Sequence, residues 1–342
     1  MSADRLVGET KAVAAETTGS GGVEHRAGRR EQVAGLLQRG AVFLVLAVAI
    51  VAGSVAFGGS FASVENFRNI AISSSFLALI AIGMTFVIIG GGIDLSVGSL
   101  MAIAGALAPL IFLSDLPFGV AVAFVVPVLV TGAFGLFNGV LITRFGFQPI
   151  IATLVLFIAG RGIAQVLTNG ELQPFRNPAF QYIGLGRVLG IPFQVLLMLA
   201  IFAVVAWAVR TTRFGRQVLA IGGNEAAARL AGVPVNRVKL AVYGISGLLA
   251  GVAGLIVIAI NSSSDANQVG LNVELAAIAA VAVGGTPLTG GRATVVGTLI
   301  GALILQLLRF TLLSHGVPDA VALVVQAVII VAAVFLQRQR QT

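Results

Sequence analysis

From about Ala41 onward the chain reads as apolar runs of roughly 20 residues separated by short polar breaks, with no sustained alternation of apolar and polar positions. Half-buried strands would alternate, so the pattern predicts helices long enough to cross a hydrocarbon core. Arg68 to Asp115 alone holds two such lengths, with Asp94 as the single charge between its ends. The runs begin near Ala41, Asn69, Val97, Gly119, Pro149, Leu189, Leu240, Val273, Thr294 and Asp319, which predicts about ten spans. A different count follows if one of the breaks is re-entrant.

Composition agrees with an all-α, polytopic membrane bundle. Of 342 residues, 58% are hydrophobic and only 10% charged, too little polar material to cover a soluble surface. The first residues, 1–40, are polar, Gly/Ser-containing and of mixed charge, with no apolar core of signal-peptide length near Met1, and read as a disordered cytoplasmic tail. A transmembrane domain is expected over 41–337, with an inner loop at 210–239, and a short cytoplasmic tail over 338–342. The formal charge of +8 comes almost entirely from arginine, and in so apolar a chain it reads as a topology signal and not as nucleic-acid affinity. Arg26, Arg29, Arg30 and Arg39 precede the first run and hold its start inside. Counting onward, the inner loops carry Arg144, then Arg210, Arg213, Arg216, Arg229, Arg237 and Lys239, then Arg292, and finally Arg338 and Arg340. An even number of spans with both termini in the cytoplasm is therefore expected.

Chemistry is constrained by what is missing. There is no cysteine, hence no disulfide, thiolate metal site or cysteine nucleophile, and two histidines, His25 and His315, do not make a metal site. No G-x-x-x-x-G-K-[ST] phosphate loop occurs, and no paired carboxylates or nucleophile-and-base set. Within the spans the ionisable groups are chiefly Arg161 and Glu274, too few for the buried relay of a proton-coupled carrier. The scarcity favours a pathway driven from outside the chain.

Three patterns remain. Glycines four apart, Gly135 and Gly139, Gly247 and Gly251, Gly297 and Gly301, would let helix backbones approach closely in lipid. A weak repeat of frame G-G-x-x-L-[ST]-x-G links "GGIDLSVG" from Gly91 with "GGTPLTGG" from Gly284. Gly91, Gly92, Asp94, Ser96, Gly284 and Gly285 are thus candidate hinge or gate positions; the alternative is an interhelical turn in which Asp94 or Ser96 caps the next helix. In the loop "RTTRFGRQVLAIGGNEAAARLAGVPVNRVK", Asn224 can cap a helix, Glu225 suits its first turn, and Gly232 and Pro234 end it. That two-turn helix either enters a groove on another protein or lies on the lipid surface.

Four ordered segments, "GMTFVIIGGGIDLSVGSLMAIAGA", "NGVLITRFGFQPIIATLVLFIAGRGIAQVLTNG", "GGNEAAARLAGVPVNRVKLAVYGISGLLAGVAG" and "ELAAIAAVAVGGTPLTGGRATVVGTLIGALIL", resemble the membrane permease subunits of bacterial ABC-type sugar importers of the ribose, xylose and arabinose type. The resemblance implies an ABC importer permease fold, a second permease copy, an ATPase subunit inside the cell that carries the ATP and magnesium, and an extracytoplasmic sugar-binding protein. No cofactor or metal is implied for this chain, and no nucleic acid; membrane lipid is its solvent. The resemblance also implies that Asn224, Glu225, Ala226, Ala227, Arg229 and Gly232 form the element docking into the ATPase. Two departures stand out: the related E-A-A-x3-G motif has an extra residue before Gly232, and Ala276 replaces the acid of the usual E-L-D-A.

The expected function is translocation of a monosaccharide or similar polyol by alternating access, with Asn138, Thr153 and Arg161 as candidate liners of the path. Each has a structural alternative: Thr153 bonding its own helix, Arg161 pairing with Glu274 or a carbonyl, Asn138 bridging helices. The outer loop Asn169 to Arg187, with Phe175, Phe180 and Tyr182, is a candidate surface for the delivering protein or a lipid-interface anchor. A branched-chain amino acid permease of the same logic and an ion-coupled carrier are the rival readings.

Overall fold

A computed structural model describes residues 42–59, 61–114 and 118–338. The expected 1–40 tail and the last four residues lie outside them. The described chain is helical throughout: α1 (Val42–Gly59), α2 (Val64–Ile89), α3 (Val97–Phe112), α4 (Gly119–Arg144), α5 (Pro149–Thr168), α6 (Pro178–Leu185), α7 (Phe193–Thr211), α8 (Arg213–Gly223), α9 (Glu225–Leu230), α10 (Val235–Asn261), α11 (Val273–Val283), α12 (Val295–Ser314) and α13 (Asp319–Arg338). Two antiparallel two-stranded pairs complete it, β1 (Gln173–Pro174) with β4 (Ser263–Ser264) and β2 (Arg187–Val188) with β3 (Ile191–Pro192).

Apolar helices stand at all ten expected positions. Seven of them, α1, α2, α4, α5, α7, α10 and α12, are long and apolar enough to cross a membrane. Of the other three, α13 is apolar over Asp319–Val328, and the two at Val97 and Val273 fall short of the expected span, α3 with 16 residues and α11 with only 11. At 1.5 Å per residue α11 reaches about 16 Å, roughly half a hydrocarbon core. Each of these short helices begins deep inside the bundle, as described below, and so needs less length to reach a face.

α10 is the axis. It packs against α4, α2 and α3, while α2 also meets α12, α11 and α7. Between helices in lipid there is no hydrophobic drive, so packing depends on how closely backbones approach, and the spaced glycines serve this. A Cβ at Gly139 would lie 2.9 Å from the Leu240 Cα, one at Gly135 3.2 Å from the Gly247 Cα, and one at Gly251 3.0 Å from the Val128 Cα, fixing the α4–α10 crossing. Gly297 and Gly301 do the same on α12, against Gly284 and Ala280 of α11. The outward faces of α4, α5 and α7 carry exposed Leu129, Ile158, Val204 and Trp207, the composition of a lipid-facing surface.

In the loop between α5 and α7 the aromatic residues turn inward. Phe180 is fully buried and Phe175 nearly so, stacked with Phe112 and Phe124 at ring separations of 4.8 to 5.6 Å. Neither can greet a partner; of the three expected there, only Tyr182 is exposed. Phe175 is drawn in by β1, whose pairing with β4 ties this loop to the end of α10.

Candidate functional site at the glycine breaks

α2 and α11 end identically. After Ile89, Gly91 takes a positive φ of 80°, its N–H donates to the Ile88 carbonyl and the Gly92 N–H to that of Val87. After Val283, Gly285 takes φ 85°, with the Gly285 and Thr286 N–H groups donating to Ala282 and Val281. Both are Schellman caps, which require a left-handed residue and favour glycine. The sequence repeat is therefore a structural repeat displaced by one residue, Gly91 matching Gly285. Both breaks lie at the arginine-rich end of the bundle and touch: the Gly291 N–H donates to the Ile89 carbonyl at 3.0 Å.

From the first break the chain turns back inward. Asp94, wholly buried, accepts from the Ser96 N–H at 3.0 Å, the Ser96 hydroxyl at 2.6 Å and the Ser246 hydroxyl at 2.7 Å. Ser246 lies near the middle of α10, so α3 starts about halfway through the bundle. The expectation that Asp94 or Ser96 caps α3 at the inner mouth is corrected: Ser96 occupies the cap position without a side-chain capping bond, and Asp94 makes a local turn plus a tie to α10. Asn138 on α4 donates to the Ser96 hydroxyl at 3.0 Å, and its own carbonyl oxygen is buried without a partner. Thr153 on α5 bonds its helix carbonyl at Pro149, 2.9 Å, and reaches the Ile93 carbonyl at 3.4 Å.

α11 likewise begins inside. Gly270, just ahead of it, lies backbone to backbone with Gly98, and a Cβ on Gly98 would overlap the Gly270 carbonyl and the Glu274 carboxylate. The N-termini of α3 and α11 therefore face one another, each with an acid beside it, Asp94 and Glu274, as the positive ends of helix dipoles favour. Arg161 on α5 donates to the carbonyls of Ala266 at 2.8 Å and Val269 at 2.6 Å, holding the loop that leads into α11. It takes the carbonyls, not an ion pair with Glu274.

The solvent-facing element is α9. Asn224 caps it, accepting from the Ala227 N–H at 3.0 Å, and Gly232 with φ 80° closes it in a third Schellman turn. Glu225 bonds Lys239 of α10 at 2.6 Å and Arg229 at 3.2 Å. The Lys239 hydrogen bond, foremost, holds the Glu225 carboxyl below the usual carboxylate range. Ala228 is buried, but Ala226, Ala227 and Ala231 are exposed, and Leu230 is 91% exposed. This apolar knob in a polar loop is left uncovered by the described residues.

The family of branched-chain amino acid transport system permease components matches residues 66–334, nearly the whole helical region. The chain belongs to this permease family. Curated relatives match most of the permease. The ribose import permease protein of Escherichia coli (strain K12) is 41% identical over 308 residues, 89% of this chain and 94% of that one. That of Haemophilus influenzae is 42% identical over 303 residues, 87% and 91%. The galactofuranose transporter permease protein of E. coli (strain K12) is 40% identical over 274 residues, 77% of each. The permease is thus a membrane transport component. Sequence reading missed Leu230, Ser246 and Gly222, the last at the end of α8; Gly222 is the first of a further Gly-Gly pair resembling those at both breaks.

Proposed function

We propose that the permease translocates a monosaccharide or similar polyol across the bacterial cytoplasmic membrane as the passive channel subunit of an ATP-driven importer. The relatives named above are permeases for ribose and galactofuranose, which favours a sugar over a branched-chain amino acid despite the family's description. The observation that carries the ATP-driven reading is the capped helix α9, which presents Leu230 and three alanines outward. A buried apolar anchor ringed by polar contacts is how a protein interface gains most of its affinity. In this reading an ATPase subunit, holding ATP and magnesium, grips α9 at the cytoplasmic face. A sugar-binding protein delivers solute opposite, and a second permease copy completes the pathway. The chain itself performs no chemistry and binds no cofactor.

The two Schellman breaks, with Gly91, Gly92, Asp94, Ser96, Gly284 and Gly285, act as hinges while the inner mouth opens. Of the proposed path residues, Asn138 keeps an unused acceptor for a hydroxyl, whereas the bonds of Thr153 and Arg161 suit ties that shape the path. Deletion of Glu225 to Ala231 tests the assignment. The variant inserts in the membrane but no longer copurifies with the ATPase; full transport by it refutes the coupling role. Ligand binding by the cognate delivery protein separates the substrates: a sugar supports the reading, and an amino acid replaces it with the branched-chain alternative.

A further inference from the structure

Force entering through α9 has to reach hinges that lie in distant parts of the sequence, and α8 supplies the contact. Its last turn runs directly into the place where the two breaks meet. A Cβ on Gly222 would overlap the Ile89 carbonyl oxygen and stand 2.7 Å from the Gly291 nitrogen, the two atoms whose hydrogen bond joins the breaks. Only a hydrogen fits there. One turn earlier, Val218 is buried and lies 3.7 Å from where a Gly90 Cβ would sit, and Phe214 packs on Phe86 with ring centroids 5.8 Å apart. α8 is thus seated along its length on the last turns and break of α2 through three successive contacts. A Cβ on Gly290, whose φ is 87°, would stand 3.0 Å from the same Ile89 oxygen. Three segments far apart in sequence, those around Ile89, Gly222 and Gly291, converge on one carbonyl group.

We propose that the end of α8 and the backbone around Ile89 and Gly291 form a single rigid joint, seated on Gly222, which carries motion from α9 to both glycine breaks together. This rests on α9 being the ATPase contact. Carbonyl, amide and glycine Cα pack here without a side chain between them, and backbone in that arrangement has no rotamer through which to yield. The joint therefore moves as one body through the transport cycle, and the bending falls on the left-handed glycines Gly91 and Gly285 beside it. A methyl group at Gly222 would wedge α8 away from Ile89 and leave α9 free to move without moving the hinges.

The test uses the complete importer, with its ATPase and delivery protein, in proteoliposomes. Gly222→Ala is expected to keep ATPase copurification while solute moved per ATP hydrolysed falls by about tenfold, within the usual span of coupling between sites. Gly223→Ala, whose Cβ would meet nothing within 4 Å, stays within about twofold of the parent. Gly222→Ala with unchanged uptake per ATP, or an equal loss in Gly223→Ala, overturns the joint. A second measurement decides the matter if Gly222→Ala does not assemble. The chain has no cysteine, so Gly90→Cys with Val218→Cys is a unique pair, and a Cβ on Gly90 would stand 3.7 Å from the Val218 Cγ1, within reach of a thiol–thiol bridge. Oxidation should link α8 to the first break and leave uptake within about twofold of the reduced protein, since partners in one rigid body do not separate. Arrest on oxidation, or failure of the link to form, overturns the proposal. Failure of the parent permease to hold the ATPase would instead refute the coupling role of α9, with the joint's geometry untouched.

Discussion

Asp94 satisfies three donors inside the bundle with two oxygens, and among the described residues these donors are all neutral. Asp94→Ala would leave the Ser96 and Ser246 groups unpaired where water does not reach, at about 1–3 kcal/mol for each orphaned group. The expected outcome is a large fall in folded yield and thermal midpoint of the detergent-purified permease, with Ser246→Ala milder at about 1 kcal/mol, measured by fluorescence-detected size exclusion after heating. Glu225 gives the opposite case of an exposed pair. Its folded carboxyl titrates below the ordinary value, so the tie to Lys239 is complete above an ordinary glutamate pKa of about 4.3 and is lost only as pH falls through the lower folded value. Because the side chain is 43% exposed, Glu225→Gln should cost well under about 1 kcal/mol at pH 7. The difference from the parent should shrink in acid melts as the pH falls below the ordinary glutamate range and through the lower folded value. A charge between apolar runs is conspicuous in the sequence, which made Asp94 readable as special. Its partner Ser246 was not, because a serine in a glycine-rich helix looks the same whether it faces lipid or an acid.

Helix ends and crossings were the most readable elements. The asparagine before "EAAARLAG" and the glycine after it predicted α9 nearly to the residue, since caps and left-handed turns depend on local chemistry. Leu230 went unremarked because only packing reveals which side of a two-turn helix is left bare. Leu230→Asp is expected to weaken ATPase binding at least about tenfold, as loss of a central apolar anchor does, with membrane insertion unchanged; pull-down titration reads it. The small-residue spacing correctly marked the crossing of α4 and α10. Gly247→Val should abolish folded protein there, since its Cβ would already overlap the Thr131 carbonyl oxygen. Gly162→Ala, on α5 with open space around it, should be silent in the same size-exclusion profile. The helix α8 and the inward turn of Phe175 and Phe180 had no such signature. Both follow from pairings with residues distant in sequence, Val218 with Gly90 and the Phe175 strand with Ser263 and Ser264.

At the scale of the molecule, the count of apolar runs came through because length and hydropathy are properties of one segment at a time. The depth at which a segment starts depends on its neighbours, and so the half-length of α11 emerged only from its contact with Gly98. As a passive subunit in our proposal, the purified permease in vesicles should accumulate no sugar. Addition of its ATPase and loaded delivery protein should start uptake that survives an ionophore, and uptake by the permease unaided would refute the proposal. The brevity of α11 also bears on how the protein is made. Eleven residues are too few to settle across a bilayer by themselves, and the glycines at Gly297 and Gly301 that cover α11 belong to the helix synthesised after it. The segment is therefore expected to enter as a hairpin with α12, so a chain truncated after Gly291 and released from the ribosome should leave Val273–Val283 outside the lipid and open to protease.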